Sequence, residues 1–240
     1  MVDKNSHVPI YVQIEEILKE KISHGEYAVG LSIPSERELS ETFGVSRMTV
    51  RQSITQLVNS GLLYREKGRG TFVASPKFEQ PLNGLTSFTE DMRARGMEPS
   101  SNIVTFEKQI PSFDIRDDLK LDEGEEVFFI ARIRNADDKP MAIERSYIPV
   151  KLLPNLSEEK LQGSLYNLVE YEYGFEISNA IQQMEASIVT KEDAKYLNLD
   201  TTGVVLIIKR TSFLSNGQPF EVVRSAYRAD RYKFISEIKR

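Results

Sequence analysis

Arginine and threonine side chains are spaced along one short segment so that they could read the edges of DNA bases. Arg47, Thr49 and Arg51 all fall in the first turns of a predicted helix over residues 47–59. One guanidinium can donate two hydrogen bonds to guanine in the major groove, which discriminates against a wrong base by about 1–3 kcal/mol. Arg37, near the start of the preceding helix, could reach a base or a phosphate. The alternative is that these arginines are simply solvated, as exposed arginines on a helix usually are.

A hairpin rich in glycine and basic residues follows this helix. Gly68 and Gly70 remove side-chain bulk, so the hairpin backbone could approach a DNA groove while Lys67 and Arg69 supply positive charge. Turn geometry alone would also account for the glycines. Residues 46–73 carry five basic side chains and one acidic one, so positive charge is concentrated on the helix and the hairpin.

A second group of polar side chains suits an anionic ligand that also carries hydroxyl or amine groups. Arg132 and Arg134 are two apart on a predicted strand and therefore project to one face, beside apolar neighbours. Glu144 and Glu221 could accept protons from a sugar hydroxyl or amine, and Tyr227 shares a strand face with Glu221. The hydroxyls of Ser87 and Thr89, with Phe88 between them, open a helix whose first N–H groups also favour an anion.

Two structural alternatives apply to this second group. Ser87 and Glu90 have the spacing of a capping box, which needs no ligand. If the hairpin loop holds the five residues 136–140, Arg132 lies opposite Glu144, and the two could form a simple cross-strand salt bridge.

The elements that position the first group form a winged helix-turn-helix. Apolar residues recur at helical spacing over 8–25, and Ser35 and Glu38 form a capping box at the start of the next helix. After the break at Gly44, the helix over 47–59 turns a set of side chains mainly inward, namely Met48, Val50, Ile54, Leu57 and Val58. Strands over 62–65 and 71–73 complete the hairpin.

The rest of the chain mixes strands and helices without a repeating order. Residues 76–83 have no periodicity and contain Pro76 and Pro81, which predicts a linker between domains at 1–75 and 84–240. Extended segments are predicted at 102–110, 126–134, 141–148, 181–190, 203–213 and 219–227, and helical segments at 87–95, 113–120, 157–172 and 191–198. Hairpins near Asp137-Asp138 and Asn216-Gly217 mean antiparallel pairing, so we expect an α+β domain with helices covering an antiparallel sheet.

Composition excludes several kinds of chemistry. The 240-residue chain has no cysteine, and its two histidines, His7 and His24, lie near its start. Thiolate zinc sites, cysteine nucleophiles and a Ser-His-Asp triad in the larger domain are therefore excluded, and we expect no metal and no cofactor. No apolar run approaches the roughly 18 residues of a membrane span, and the first residues hold no apolar signal core, so we expect a cytoplasmic protein without a membrane partner.

The first 75 residues resemble the DNA-binding domain of GntR-family transcription regulators. The stretches that carry the resemblance are Pro9-Ile10-Tyr11, Pro34-Ser35-Glu36-Arg37-Glu38-Leu39, Val45-Ser46-Arg47-Met48-Thr49-Val50-Arg51 and Gly61 to Val73. The resemblance implies that Arg37, Arg47, Thr49, Arg51 and Gly68 contact operator DNA. It also implies a homodimer on near-palindromic sites, whose half-sites lie about one helical turn apart.

Residues 82–232 resemble the effector domain of the HutC subfamily, which shares the fold of chorismate lyase. The stretches that carry this resemblance are Gly84 to Met92, Arg132-Ile133-Arg134, Pro140 to Glu144, Phe220-Glu221 and Tyr227 to Tyr232. They look most like repressors of N-acetylglucosamine utilisation, which implies glucosamine 6-phosphate or N-acetylglucosamine 6-phosphate as effector. Ser164 and Tyr166 match positions that line the family's pocket.

We therefore expect a repressor, not an enzyme, that controls amino-sugar uptake and catabolism genes. The alternatives are the same class of regulator with another phosphosugar, such as trehalose 6-phosphate, or an organic acid as effector. A more distant alternative is a lyase-like enzyme, because the second domain's relatives include a lyase.

Overall fold

The computed structural model of the chain describes residues 2–4, 6–66, 68–74, 77–82 and 84–238. These residues divide into two compact units, and the division falls between Lys77 and Phe78. Each unit contains a hydrophobic core of its own.

The first unit is a winged helix-turn-helix. It contains α1 (Ile10–Ser23), α2 (Glu36–Phe43), α3 (Arg47–Asn59), β1 (Leu63–Glu66) and β2 (Gly70–Val73). Ser35 and Glu38 form the expected capping box, because the amide of Glu38 donates to Ser35 Oγ at 3.3 Å and the amide of Ser35 donates to Glu38 Oε2 at 2.8 Å. Gly44 ends α2 at a φ of 63°, a left-handed conformation that costs glycine little, and α3 follows at once.

The core of the first unit differs from the prediction at Met48. Val50, Ile54 and Leu57 of α3 are buried with Ile14 of α1, as expected. Met48, which we expected to point inward, is 67% exposed. Because a helix turns about 100° per residue, a side chain two positions from Val50 lies on nearly the opposite side.

The second unit is an α+β domain built on a single large antiparallel sheet. In chain order it contains β3 (Phe78–Pro81), α4 (Phe88–Ala94), β4 (Pro99–Gln109), α5 (Phe113–Asp118), β5 (Val127–Ala136), β6 (Lys139–Pro149), a 3₁₀ turn (Glu159–Gln162), α6 (Leu165–Asn167), a π-helical turn (Leu168–Glu172), β7 (Ile177–Ile188), α7 (Lys191–Leu197), β8 (Val204–Leu214), β9 (Pro219–Arg228) and β10 (Tyr232–Ile235). The sheet has the strand order β4-β5-β6-β9-β8-β7. The expected fold class is confirmed.

Helices cover both faces of this sheet. On one face, Leu165 of α6 packs with Phe128 and Ile130 of β5. On the other face, α5 packs over β5 and β9, and α7 packs over β6 and β8. The segment 157–172, predicted as one helical stretch, is broken at Gly163, whose φ of −98° and ψ of −152° are extended.

The hairpin between β5 and β6 has the expected register but a shorter loop. Asp137 and Asp138 alone form the turn, with φ values of 46° and 60°. A bulge at Met141 then shifts the pairing by one residue, so that Arg132 lies opposite Glu144 as it would across a five-residue loop. The five-residue loop over 136–140 considered from the sequence is therefore absent, whereas the pairing of Arg132 with Glu144 is present.

The predicted linker over 76–83 is wrong over part of its length. Phe78–Pro81 form β3, which pairs in parallel with β10 in a small second sheet. Phe78 packs on Tyr232 with ring centroids 5.8 Å apart. A four-residue strand is too short to show periodicity, and its partner lies at the other end of the domain. Pro76 and Asn83 lie outside the described residues.

Candidate functional site

The exposed side of α3 presents the residues predicted to read DNA. Arg47 is exposed, and its side chain forms no hydrogen bond or ion pair with any described residue. Met48 beside it is also exposed. Thr49 is partly exposed, and its Oγ1 lies 2.9 Å from Ser46 Oγ at the start of the helix. This end of α3 therefore offers a guanidinium with its donors available.

Glu36 holds the other arginine of α3. Arg51 donates from Nε and Nη2 to Glu36 Oε2, at 3.0 Å and 2.8 Å. Arg65 of β1 lies 3.7 Å from the same carboxylate and donates to Thr55 Oγ1 at 3.1 Å. Arg65 belongs to the basic segment 46–73 but was not among the residues predicted to contact DNA. Glu36 thus orients two arginines that both remain exposed.

The wing and α2 carry the remaining predicted contacts. Gly68 is exposed at a φ of 76°, and nothing would contact a Cβ at that position. Arg69 pairs with Glu66, and its guanidinium lies 5.7 Å from the ring of Phe72. Arg37 is exposed and lies 3.8 Å from Glu41. Lys67, also predicted to contact DNA, lies outside the described residues.

The strand register of the second unit assembles a cavity on one face of the sheet. One row across the sheet runs from Arg132 to Glu144, Ser225 and Ile208. Side chains alternate along each strand, so Arg134, two residues along β5, joins Arg132 on this face. The cavity is lined by Thr86, Ser87, Phe88, Asp91, Arg132, Arg134, Glu144, Ser164, Leu165, Tyr166, Ile208, Arg210, Glu221, Val223, Ser225 and Tyr227. The structure thus brings together every residue predicted to bind the effector except Thr89.

Charged groups in the floor of the cavity are buried. Arg132 and Arg134 are each 3% exposed, as is Glu221, and Glu144 is 9% exposed. Glu144 Oε2 lies 3.3 Å from Arg132 Nη2 and 3.7 Å from Arg134 Nε. The cross-strand salt bridge considered from the sequence is therefore present. The Nε atoms of both arginines are buried without a hydrogen-bond partner among the described residues.

Helices α4 and α6 supply the walls of the cavity. Ser87 and Glu90 form the capping box at the start of α4, so that structural alternative is also confirmed. Phe88 lies under the Arg134 guanidinium, which is 4.8 Å from the ring centroid. Thr89 does not line the cavity, and instead its Oγ1 accepts a 2.9 Å hydrogen bond from Arg134. Thr89 thus helps to fix the position of Arg134 without lining the cavity itself.

Burial sets the protonation of the cavity groups. It raises the pKa of the Glu221 carboxyl and lowers the pKa of the Arg132 guanidinium, since both charges lie away from solvent. Burial also raises the pKa of Tyr166 to about 12 and raises the pKa of Tyr227. Both phenols are therefore neutral at physiological pH and can donate hydrogen bonds. Tyr166 Oη lies 2.9 Å from Ser212 Oγ.

Arg210 is a third arginine at the cavity and was not predicted from the sequence. Its Nε donates to Gln182 Oε1 at 3.0 Å, and Nη1 donates to the carbonyl of Thr86 at 3.3 Å. The signal was present, because Arg210 is two residues after Ile208 on β8 and therefore shares its face. The strand pattern places Arg210 at the cavity only when β8 is known to pair with β9.

The cavity is partly open to solvent, and its water-accessible space of about 50 Å³ is enough for a few water molecules. Among the described residues, no group of three His, Asp or Glu side chains is arranged to hold a metal ion. None of the helices in the same residues is long and apolar enough to cross a membrane.

A winged helix-turn-helix joined in one chain to a domain with a polar cavity defines a transcription regulator. The chain belongs to the gntR family of bacterial regulatory proteins: the model of that family matches residues 10–73, and the model of the UTRA domain matches residues 94–233. The resemblance to the HutC subfamily is confirmed, and the chain is a transcriptional repressor of this type, not an enzyme.

Individual relatives match over nearly the whole chain. The transcriptional repressor NagR of Bacillus subtilis (strain 168) is 47% identical over 239 residues, which cover 100% of this chain and 98% of NagR. The mannosyl-D-glycerate transport/metabolism system repressor MngR of Escherichia coli (strain K12) is 33% identical, with 95% of each chain covered. The crystal structure of PhnF from Mycobacterium smegmatis is similar with a TM-score of 0.65 at 25% identity, and covers 96% of this chain and 99% of that one.

Proposed function

We propose that this repressor binds a palindromic operator as a homodimer in the cytoplasm and responds to an aminosugar phosphate. The effector is glucosamine 6-phosphate or N-acetylglucosamine 6-phosphate, and the controlled genes serve amino-sugar uptake and catabolism. The observation that carries the proposal is the pair Arg132 and Arg134, whose buried Nε atoms lack hydrogen-bond partners among the described residues and belong to side chains that line a polar cavity. Buried polar groups are normally hydrogen-bonded, so unpartnered donors at a cavity point to a missing acceptor.

The cavity chemistry fits the two ends of such a ligand. Phosphate oxygens accept strong charge-assisted hydrogen bonds from guanidinium groups, and the hydroxyls of Ser87 and Ser164 line the same cavity. Glu144 and Glu221 offer acceptors for sugar hydroxyl or amine protons. The stretches that resemble repressors of N-acetylglucosamine utilisation, together with the 47% identity to the repressor NagR over the full length, support an effector related to amino sugars.

The proposed response depends on the size of the cavity, whose water-accessible space of about 50 Å³ is smaller than a sugar phosphate. A ligand that fits only when the lining has moved apart binds one conformation better than the other, and this differential affinity shifts the population. A near-complete switch needs about a 10⁴-fold preference, equivalent to about 5.5 kcal/mol. In the homodimer, the distance between the two DNA-binding units would then no longer match the spacing of the operator half-sites. The residues that would lose their DNA contacts are those predicted from the sequence, namely Arg37, Arg47, Thr49, Arg51, Lys67, Gly68 and Arg69.

One relative favours a second candidate effector. MngR, which is 33% identical, is named for mannosyl-D-glycerate, a sugar linked to an organic acid. A carboxylate could accept hydrogen bonds from the same arginines. The second candidate effector is therefore an organic acid linked to a sugar, acting on the same type of repressor.

Thermal denaturation of the full chain with a panel of compounds tests the proposal. The panel holds both aminosugar phosphates, trehalose 6-phosphate and mannosyl-D-glycerate, with glucosamine and inorganic phosphate as controls. A specific ligand at 100 times its Kd stabilises the folded chain by about 2.7 kcal/mol. Stabilisation by an aminosugar phosphate, but not by glucosamine or inorganic phosphate, supports the proposal. If another compound of the panel alone stabilised the chain, that compound would be the effector instead. Sedimentation equilibrium tests the homodimer.

A further inference from the structure

Helix α4 has its first turn at the ligand cavity. Ser87, Phe88 and Asp91 line the cavity, and Phe88 and Thr89 both contact Arg134. A ligand that draws Arg134 into a new position, or that needs more room, therefore acts on this turn directly.

The other end of α4 holds strand β3. Arg95 follows the last residue of α4, and its Nη2 donates to the carbonyl of Glu79 at 2.9 Å and to Gln80 Oε1 at 2.8 Å. Its Nη1 donates back to the carbonyl of Asp91 within the helix. One half-buried guanidinium thus ties the end of α4 to the backbone of β3.

Besides Arg95, strand β3 is tied to the domain by its pairing with β10 and by Phe78, which packs against the apolar cluster that contains Phe88 and Met92 of α4. Its four residues pair only with the four residues of β10 among the described strands. A two-stranded unit is marginally stable by itself. The ion pair between Lys233 and Glu79 is exposed on both sides and contributes little. The Arg95 hydrogen bonds are charge-assisted and therefore among the stronger contacts of this strand.

The position of β3 in the chain makes this contact important. β3 begins at Phe78, the residue that directly follows the DNA-binding unit. A displacement of β3 is therefore a displacement of the point where the chain leaves that unit.

We propose that Arg95 is a positioning residue that transmits ligand binding from the cavity through α4 to β3. This inference rests on the proposed function, since it needs a ligand in the cavity. Helix α4 spans seven residues, or about 10 Å, so its two ends contact the cavity and β3 respectively. When the first turn is displaced at the cavity, Arg95 carries the displacement to the carbonyl of Glu79.

The test compares Arg95→Met with Arg93→Met in the full chain. Arg93 lies on the same helix, is exposed, and forms no side-chain hydrogen bond or ion pair within the described part of the chain. Each protein is titrated with glucosamine 6-phosphate by calorimetry. Its affinity for a DNA site selected by the wild-type chain from random duplexes is then measured by fluorescence anisotropy with and without the sugar phosphate.

Wild type and R93M should show the same ligand-induced change in DNA affinity, within the roughly 5- to 150-fold range of allosteric coupling. R95M should bind glucosamine 6-phosphate within about threefold of wild type while this change falls toward one. Hydrogen exchange should be faster at residues 78–82 in R95M than in R93M, without ligand. Arg95→Lys, which keeps one donor group, should recover part of the coupling and so exclude misfolding as the cause.

Two outcomes would overturn the inference. One is R95M that folds, binds ligand and changes its DNA affinity as wild type does. The other is an equal loss of coupling in R93M and R95M. A wild-type chain that neither binds an aminosugar phosphate nor changes its DNA affinity would instead refute the proposed function.

Discussion

Replacement of Arg132 by methionine isolates the role of one buried charge in ligand binding. The methionine side chain keeps much of the aliphatic volume of Arg132 but donates no hydrogen bond. The guanidinium is 3% exposed and lies 3.3 Å from Glu144, so its loss changes the cavity floor and not the surface. Operator binding depends on the other unit and should be unchanged.

The expected magnitude follows from the hydrogen bonds that Arg132 can offer. A hydrogen bond to a charged group contributes about 1.5–3 kcal/mol. At 1.4 kcal/mol per factor of ten, its loss raises the Kd for glucosamine 6-phosphate by about 10- to 150-fold. The folded chain should tolerate the change, because Glu144 retains Arg134 at 3.7 Å and because burial already opposes the charge of Arg132, whose pKa it lowers.

Calorimetry measures the Kd for the sugar phosphate. Fluorescence anisotropy with the selected DNA measures how much DNA is released as the sugar phosphate is added. The matched control is Arg224→Met on the opposite face of the sheet, where Arg224 pairs with the exposed Asp114. R224M should bind the sugar phosphate as wild type does. If R132M bound it with unchanged affinity, or released DNA at the same ligand concentration as wild type, the assignment of Arg132 to the anion would be wrong.

Three further substitutions test other parts of the molecule. Arg47→Met should weaken binding to the selected DNA by about 1–3 kcal/mol and leave binding to a scrambled duplex nearly unchanged, measured by anisotropy. Glu221→Gln should raise the melting temperature relative to wild type by an amount that grows as the pH rises above 4.5, the ordinary pKa of a glutamate. Burial raises the folded-state pKa of Glu221, so wild type loses stability as rising pH ionises this carboxyl more readily in the unfolded chain than in the folded one, and glutamine does not. Ser87→Ala removes the acceptor for the Glu90 amide and should cost about 1 kcal/mol, or about 2–4 °C in calorimetry.

Two of these substitutions have a control within the chain, and the third is checked by its pH dependence. Lys19→Met on α1 removes an exposed cation and should leave the DNA discrimination of wild type intact, so an equal effect of R47M would argue against base reading. A stability difference for E221Q that does not vary with pH would contradict the raised pKa. Ser112 precedes α5 without accepting a helix amide, and S112A should therefore cost less than S87A.

Local patterns in the sequence predicted much of the candidate site. The spacing of Ser87 and Glu90 predicted the capping box, and the hairpin spacing predicted that Arg132 would face Glu144. The same reasoning failed where a contact joins distant segments. The segment containing Phe78 read as linker because its partner, β10, lies about 150 residues later in the chain.

The sequence by itself determined the local elements and the side of each strand that carries charge. Caps, glycines and apolar spacing depend on neighbouring residues, and alternation along β5 places Arg132 and Arg134 together whatever the rest of the chain does. Only the tertiary structure decided that these arginines are buried, that Arg210 joins them, and that Arg95 ties α4 to β3. Those contacts depend on which strands become neighbours, for example on the pairing of β6 with β9, which are far apart in the chain. The free energy of such packing depends on residues from several segments, so no single segment predicts it.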